Sequence, residues 1–173
     1  MYKIRAGTSL DIDQLIAINQ QLNEYGWPDE QFYRIFEIGT PIWVAEDNCG
    51  QICGYIVATF LSEDVKIVNL TVAKDYRRQG VGRQLLQHVL FEAKKFDVWF
   101  AMLEVRVNNS NAIKLYQSLG FKILCIREEY YCHLPIQDAY LMQLDLRKFA
   151  GKVLPQAIPN LYNNYKTSQL LAS

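Results

Sequence analysis

Val72-Ala73-Lys74-Asp75-Tyr76-Arg77-Arg78-Gln79-Gly80-Val81-Gly82-Arg83 is the stretch that decides the fold. An apolar run ends at Val72, a charged turn follows, and a helix opens through Gly80 and Gly82. The first N–H groups of a helix have no partner inside it, and the helix dipole places partial positive charge at the same end. Glycine lets a ligand approach that backbone closely. The stretch therefore reads as an anion cradle, of a size and polarity suited to a pyrophosphate. It has no Gly-Lys-Ser/Thr ending, so it is not a nucleotide triphosphate loop. It also lacks the third glycine and the first-strand position of a dinucleotide fold.

Working outward, the residues before Val72 alternate as strands. Ile42 to Glu46, Gln51 to Leu61 and Val65 to Val72 are separated by the polar turns Asp47-Asn48-Cys49-Gly50 and Ser62-Glu63-Asp64, which predicts an antiparallel meander. Upstream, Tyr2 to Ala6 predicts a short edge strand. Thr8, Ser9 or Asp11 can cap a helix carrying Ile12, Leu15, Ile16 and Leu22, stopped by Gly26. Trp27-Pro28 turns the chain into a second helix with Phe32, Ile35 and Phe36 on one side and Gly39 at its end.

After the glycines, Val81, Leu85, Leu86, Val89, Leu90 and Ala93 form one helical stripe able to cover a sheet. Trp99 to Arg106 is the next strand. The order strand, helix, strand implies a parallel pair with a right-handed crossover. Asn108-Asn109-Ser110 caps a further helix with Ala112, Ile113, Leu115, Tyr116 and Leu119, ended by Gly120 with Phe121 behind it. Phe121 to Tyr131 and Asp138 to Leu146 complete the sheet around a loop containing Pro135. Beyond Arg147, Pro155 and Pro159 interrupt a weak stripe at Leu161, Tyr162, Tyr165 and Leu170.

Composition narrows the class of function. The 173 residues are half hydrophobic and 21% charged, which is globular. Lys plus Arg equals Asp plus Glu at 18 each, so no global field draws the chain to nucleic acid or an anionic membrane. No apolar run reaches membrane-spanning length, and Met1-Tyr2-Lys3-Ile4-Arg5 lacks a signal-peptide core, which predicts a cytoplasmic protein. Cys49, Cys53, Cys125 and Cys132 lack zinc-site spacing and are expected as buried thiols. No metal is expected. His88 lies inside a helix and His133 in a late loop, and neither has the partners for nucleophilic catalysis.

Arg77-Arg78-Gln79-Gly80-Val81-Gly82 resembles the acetyl-coenzyme A motif Gln/Arg-x-x-Gly-x-Gly/Ala of the GNAT superfamily of N-acetyltransferases, complete at Arg77, Gly80 and Gly82. Leu103-Glu104-Val105-Arg106, Asn109-Ser110-Asn111-Ala112-Ile113-Lys114-Leu115-Tyr116, Ser118-Leu119-Gly120-Phe121 and Arg127-Glu128-Glu129-Tyr130-Tyr131 look like the ribosomal protein alanine N-acetyltransferases, the RimI-like enzymes. Asp138-Ala139 and Trp27-Pro28-Asp29-Glu30-Gln31-Phe32 also resemble that group. The likeness spans Tyr2 to Leu146. It implies an acetyltransferase domain over residues 1–146, with 147–173 as an extension. The implied fold is α/β of the mixed α+β kind, with a mostly antiparallel sheet splayed at one parallel pair and about four flanking helices.

The same resemblance implies acetyl-CoA as co-substrate. Leu70 and Thr71 would pair with its pantetheine, and the Val72 N–H would face the thioester carbonyl. Arg77, Arg78, Gln79, Gly80, Val81, Gly82 and Arg83 would hold the pyrophosphate, and Asn109 would reach the cofactor from the next helix. Glu104 falls at the general base and Tyr116 at the general acid. An ordinary Glu is roughly 3.5 pKa units weaker than an α-amine, an uphill transfer of roughly 5 kcal/mol, so Glu104 is expected to be raised by burial or to work through water. A pair between Glu104 and Arg106, and Tyr116 as a core aromatic, are the structural alternatives.

Three functions stay open. The first is acetylation of the N-terminal alanine of a small-subunit ribosomal protein. The second is acetylation of a small amine or a protein lysine, and the third is acetyl-CoA binding without catalysis. Glu104 and Tyr116 count against the third, because a binder needs neither. For the acceptor the resemblance points to Glu24 to Glu37 and Arg127 to Gln137, where Glu24, Asp29, Glu30, Glu37, Glu128 and Glu129 would make an acidic mouth for a basic N-terminus.

Overall fold

The computed structural model describes residues 2–22, 25–132 and 136–149. Glu24, His133, Pro135 and the segment after Phe149 lie outside them. Among the described residues there are seven strands and four α-helices. In chain order these are β1 (Lys3–Ala6), α1 (Ile12–Gln20), α2 (Asp29–Glu37), β2 (Ile42–Glu46), β3 (Ile52–Phe60) and β4 (Asp64–Val72), followed by α3 (Val81–Lys94), β5 (Phe100–Arg106), α4 (Ser110–Ser118), β6 (Lys122–Tyr131) and β7 (Gln137–Asp145). The strand order is β1-β2-β3-β4-β5-β7-β6. β4 and β5 are parallel, and the ladders β1–β2, β2–β3, β5–β7 and β6–β7 are antiparallel. This is the mixed α/β sheet with one parallel pair that the sequence predicts.

The described residues form two compact units, one from residues 2–57 and 69–86, the other from 58–68 and 87–149. β3, β4 and α3 contribute to both. The core of the first unit gathers Leu15, Ile18, Phe32, Ile35, Val44 and Tyr55, with Trp27 and Tyr76 packed against it. The Phe32 and Tyr55 rings meet edge to face at 5.7 Å. A buried charge sits at its edge: both terminal nitrogens of Arg5 reach the Asp11 carboxylate at 2.8 Å, and Glu46 binds the Nε. Burial pushes Asp11 up, but Arg5 and the Thr8 N–H outweigh it and leave the carboxyl below its usual range.

The first helix ends earlier than the sequence suggests. A 3-10 turn at Ser9–Asp11 leads into α1, which stops at Gln20 rather than running to Gly26. The cause is Asn19. Its buried amide donates to the Trp27 carbonyl at 2.7 Å and accepts from the Trp27 N–H at 2.9 Å, pinning Trp27 to the last turn of the helix. A Cβ at Gly26 would come within 3.0 Å of Asn19, so the glycine serves this close turn. α2 ends as predicted, with Gly39 at φ 71° and the Thr40 N–H returning to the Ile35 carbonyl.

In the second unit, β5 alternates buried Ala101, Leu103 and Val105 with half-buried Phe100, Met102, Glu104 and Arg106. β7 lies between β5 and β6 and buries Ala139, Met142 and Leu144. All six stripe residues of α3 are buried, at 0–1% exposure. α4 closes at Gly120, φ 97°, and the Phe121 N–H bonds to the Tyr116 carbonyl. A 3-10 turn at Leu146–Lys148 leads from the predicted domain into the start of the expected extension, and the Phe149 carbonyl accepts from Lys94 Nζ at 2.9 Å. The cysteines differ from expectation: Cys53 is buried, whereas Cys49, Cys125 and Cys132 are exposed. Cys125 and Cys132 lie on or just past the edge strand β6, where the sheet leaves them in solvent.

Candidate active site

In the first unit, β4 ends at Val72 and a 3-10 turn at Lys74–Tyr76 leads to the glycines. Arg78 (φ 64°) and Gly80 (φ 85°) are left-handed. For Gly80 it is this conformation, not space, that demands glycine, since an added Cβ would meet only Gln84 Nε2 at 3.7 Å. Arg78 adopts it with a side chain, a strain of roughly 1–3 kcal/mol that the neighbouring structure must hold. Changes of backbone handedness gather successive N–H groups into an anion-binding nest. The first turn of α3 is closed by the Gln84 N–H to the Gly80 carbonyl at 3.0 Å, and the N–H groups ahead of it have no partner inside the helix.

The side chains around this loop brace it. Arg77 Nε donates to the Val72 carbonyl at 3.0 Å, tying the end of β4 to the glycine turn. Gln79 donates to the Asp75 carbonyl and accepts from the Tyr2 hydroxyl. Thr71 is buried, with its hydroxyl on Asn69 Oδ1 at 2.8 Å. Gly54 of β3 belongs to this assembly, although nothing singled it out beforehand: a Cβ there would lie 2.7 Å from the Thr71 carbonyl oxygen and 3.2 Å from Val72 Cα. A glycine inside an apolar strand was the available signal of close backbone approach.

In the second unit, Glu104 projects from β5 with its side chain only 6% exposed. Its partners are not Arg106. Lys66 Nζ from β4 is 3.1 Å away and Arg127 Nη1 from β6 is 2.6 Å away. Arg106 instead stacks over the Tyr131 ring at 3.9 Å. The Tyr131 hydroxyl donates to the Glu104 backbone carbonyl at 3.4 Å. The carboxylate is buried as expected, but two cations pair with it there. Lys66 and Arg127 were missed because their contact is made across strands.

Tyr116 is buried at 7% exposure, its ring 5.9 Å from Phe121. Burial lifts its hydroxyl above the ordinary tyrosine value, and Tyr131 adds to the shift. It is therefore both a core aromatic and a protonated donor across the physiological range. Asn109 caps α4, its Oδ1 accepting from the Ala112 N–H at 3.2 Å. His88 is buried beside Glu92 at 4.0 Å.

The carboxylates expected at the acceptor lie on two elements. α2 carries exposed Asp29, Glu30 and Glu37, and β6 carries exposed Glu128 and Glu129. Glu129 is left-handed at φ 52°, its N–H held by Asp138 Oδ1 at 2.9 Å. Among the described residues no cluster of His, Cys, Asp and Glu is arranged to hold a metal, and no helix is long and apolar enough to cross a membrane.

Residues 12–121 match the Acetyltransferase (GNAT) family, and the chain belongs to it; the protein is an acyltransferase. Within that family it is 30% identical over 154 residues to the [ribosomal protein bS18]-alanine N-acetyltransferase of Escherichia coli K12, covering 84% of this chain and 99% of the relative. It is 34% identical over 159 residues to an N-alpha-acetyltransferase of Sulfurisphaera tokodaii, covering 84% and 93%. The crystal structure of the ribosomal-protein-S18-alanine N-acetyltransferase from Escherichia coli superposes with a TM-score of 0.77 at 30% identity, covering 90% of this chain and all of that one. The Arabidopsis thaliana NAA60 structure in complex with a bisubstrate analogue shares the fold, with a TM-score of 0.75 at 21% identity over 84% of this chain and 98% of that one.

Proposed function

We propose that the protein transfers the acetyl group of acetyl-CoA directly to the N-terminal α-amine of a protein, and that an alanine-starting ribosomal protein is its first candidate acceptor. The observation that carries this reading is Glu104, a buried carboxylate on β5 in a family member 30% identical, over 84% of its length, to an enzyme of that name. The nest at Gln79–Gly82 has the polarity for the pyrophosphate, lying at the N-terminus of α3 behind the left-handed Arg78 and Gly80. Leu70, Thr71 and Val72 would pair with the pantetheine, and the Val72 N–H would stabilise the oxygen that gains charge as the amine attacks. Arg77, Arg78 and Arg83 add positive charge around the nest, and Asn109 would reach the cofactor with the amide nitrogen left over from its cap.

The chemistry is a displacement at the thioester carbon. The amine nitrogen forms the new C–N bond, the C–S bond breaks, Glu104 takes the amine proton directly or through water, and Tyr116 gives a proton to the departing sulfur. An α-amine with pKa ~8 is about a tenth neutral at pH 7, whereas a lysine at ~10.4 is neutral at only a few parts in ten thousand. The N-terminus is the easier nucleophile. With an ordinary tyrosine, proton transfer to the thiolate is uphill by about 2 kcal/mol. Burial of Tyr116 steepens this, and the same dry surroundings raise the affinity of the thiolate for the proton.

The 34% identity to an N-alpha-acetyltransferase supports a second reading with the same chemistry and a wider choice of first residue. Peptides differing only in their first residue, assayed by thiol release from acetyl-CoA, separate the two. A kcat/KM for N-terminal alanine at least tenfold above serine, glycine and methionine supports the first, and equal values support the second. Release on lysine side chains or small amines, with none on N-termini, contradicts both.

A further inference from the structure

Glu104 receives both of its cations on one oxygen. Lys66 Nζ and Arg127 Nη1 each donate to Oε1, and among the described residues Oε2 accepts no hydrogen bond. An arginine facing a carboxylate ordinarily uses its fork on both oxygens. Arg127 makes a single end-on contact and shares that oxygen with Lys66.

The register explains how three strands bring these groups together. Lys66 lies opposite Met102 in the parallel ladder, two residues before Glu104, so it stands on the same face of the sheet. Arg127 pairs with Ala139, and Ala139 pairs with Arg106, which puts Arg127 on that face as well. Arg106 is drawn away onto the Tyr131 ring, leaving Arg127 to reach across β7.

We infer that Lys66 and Arg127 are positioning residues that hold Glu104 by Oε1 and so present Oε2 to the proton of the acceptor amine. The inference rests on the reading of Glu104 as proton acceptor. A carboxylate tethered by one oxygen keeps its direction without spending the other, and only the free oxygen has lone pairs directed at an incoming N–H. The two cations also outnumber the single anion they bind. Their surplus positive charge disfavours a bound ammonium relative to the neutral amine, which is the form that attacks. Among the described residues the titratable groups on this face are Asp64 and Lys66 from β4, Arg106 within β5, Lys122, Cys125, Arg127 and Tyr131 from β6 and Asp145 from β7, and Tyr131 is raised chiefly by its own burial.

The test uses the full chain, acetyl-CoA and a synthetic peptide with N-terminal alanine, comparing Lys66→Met, Arg127→Met, Lys66→Arg and Arg127→Lys. Each methionine variant is expected to lower kcat by roughly tenfold, a fraction of the roughly hundredfold or more that a general base contributes, with KM for acetyl-CoA unchanged. Losing a cation favours the bound ammonium over the neutral amine, so the acid limb of kcat moves to higher pH. The charge-conserving variants recover most of kcat. Arg127 is 46% exposed, so its variants carry the test if Lys66→Met does not fold. Methionine variants with wild-type kcat and pH profile overturn the inference while the proposed reaction stands, as does an equal loss in the charge-conserving variants. A wild-type chain that acetylates no amine overturns both.

Discussion

Replacing Gly54 by alanine puts a methyl group where the backbone of β4 already is. The new Cβ would lie 2.7 Å from the Thr71 carbonyl oxygen and 3.2 Å from Val72 Cα. The first distance is about 0.5–1 Å inside an ordinary non-bonded separation. The obstructing atoms are main chain, so no rotamer change relieves the overlap; β3 and β4 must move apart. The Ala73 N–H bond to the Cys53 carbonyl, 2.9 Å, is the first contact to stretch. Over-packing of this kind costs roughly 1–3 kcal/mol. For a chain of this length about 2 kcal/mol lowers Tm by roughly 4–8 °C. The displaced segment is the one assigned to the thioester, so kcat should also fall, by roughly tenfold, a fraction of what losing an oxyanion donor outright costs. Thermal unfolding by circular dichroism and thiol release from acetyl-CoA measure the two effects. Gly39→Ala is the control. That glycine is left-handed, with nothing within 4 Å of an added Cβ, so alanine costs about 1–2 kcal/mol in conformation alone and leaves kcat unchanged. A Gly54→Ala protein with wild-type Tm and kcat would refute the close approach.

Glu104→Gln keeps the shape of the side chain and removes the base; kcat should fall by roughly 100-fold or more with acetyl-CoA affinity intact, as steady-state kinetics and calorimetric titration would show. A stability loss with full turnover would instead mark Glu104 as an ion-pair anchor for Lys66 and Arg127. Tyr116→Phe should lower kcat less, by about 10-fold to 100-fold, because water can replace the acid in part. The Tyr116 hydroxyl is raised by burial, so its contribution to stability is complete below pH about 10 and is lost as pH rises through the folded value. Tm of the variant should therefore fall less steeply than wild type in alkali. His88 is lowered chiefly by burial, against the pull of Glu92. Its contribution is present above pH about 6.5 and is lost as pH falls through the folded value. His88→Gln should flatten the drop in Tm between neutral pH and pH about 5.

The elements were legible where a single periodicity or a single residue governs them. The α3 stripe is buried without exception, and Gly39, Gly80 and Gly120 adopt the left-handed conformations their places require. What escaped depends on residues distant in sequence. The end of α1 is set by Asn19 folding back on Trp27, which no cap pattern announces. The partners of Glu104 were sought along its own strand at Arg106. Neighbours on one strand face stand nearly 7 Å apart, however, while adjacent strands lie only about 4.8 Å away. Lys66, on the adjacent strand β4, gains from that geometry, whereas Arg127 reaches Glu104 from β6 across β7 by the length of its side chain, with Arg106 held on the Tyr131 ring. Exposure of Cys125 likewise follows from the placing of β6 outside β7.

The measurement that bears most directly on the central claim is the position of the acetyl group on product. The purified protein is incubated with acetyl-CoA and a peptide carrying an N-terminal alanine and an internal lysine, and the product is fragmented by tandem mass spectrometry. One acetyl group is expected, on the α-amine of the alanine, formed by wild type and not by Glu104→Gln. Acetyl on the lysine, or equal labelling of the α-amine by the Glu104→Gln protein, would contradict it.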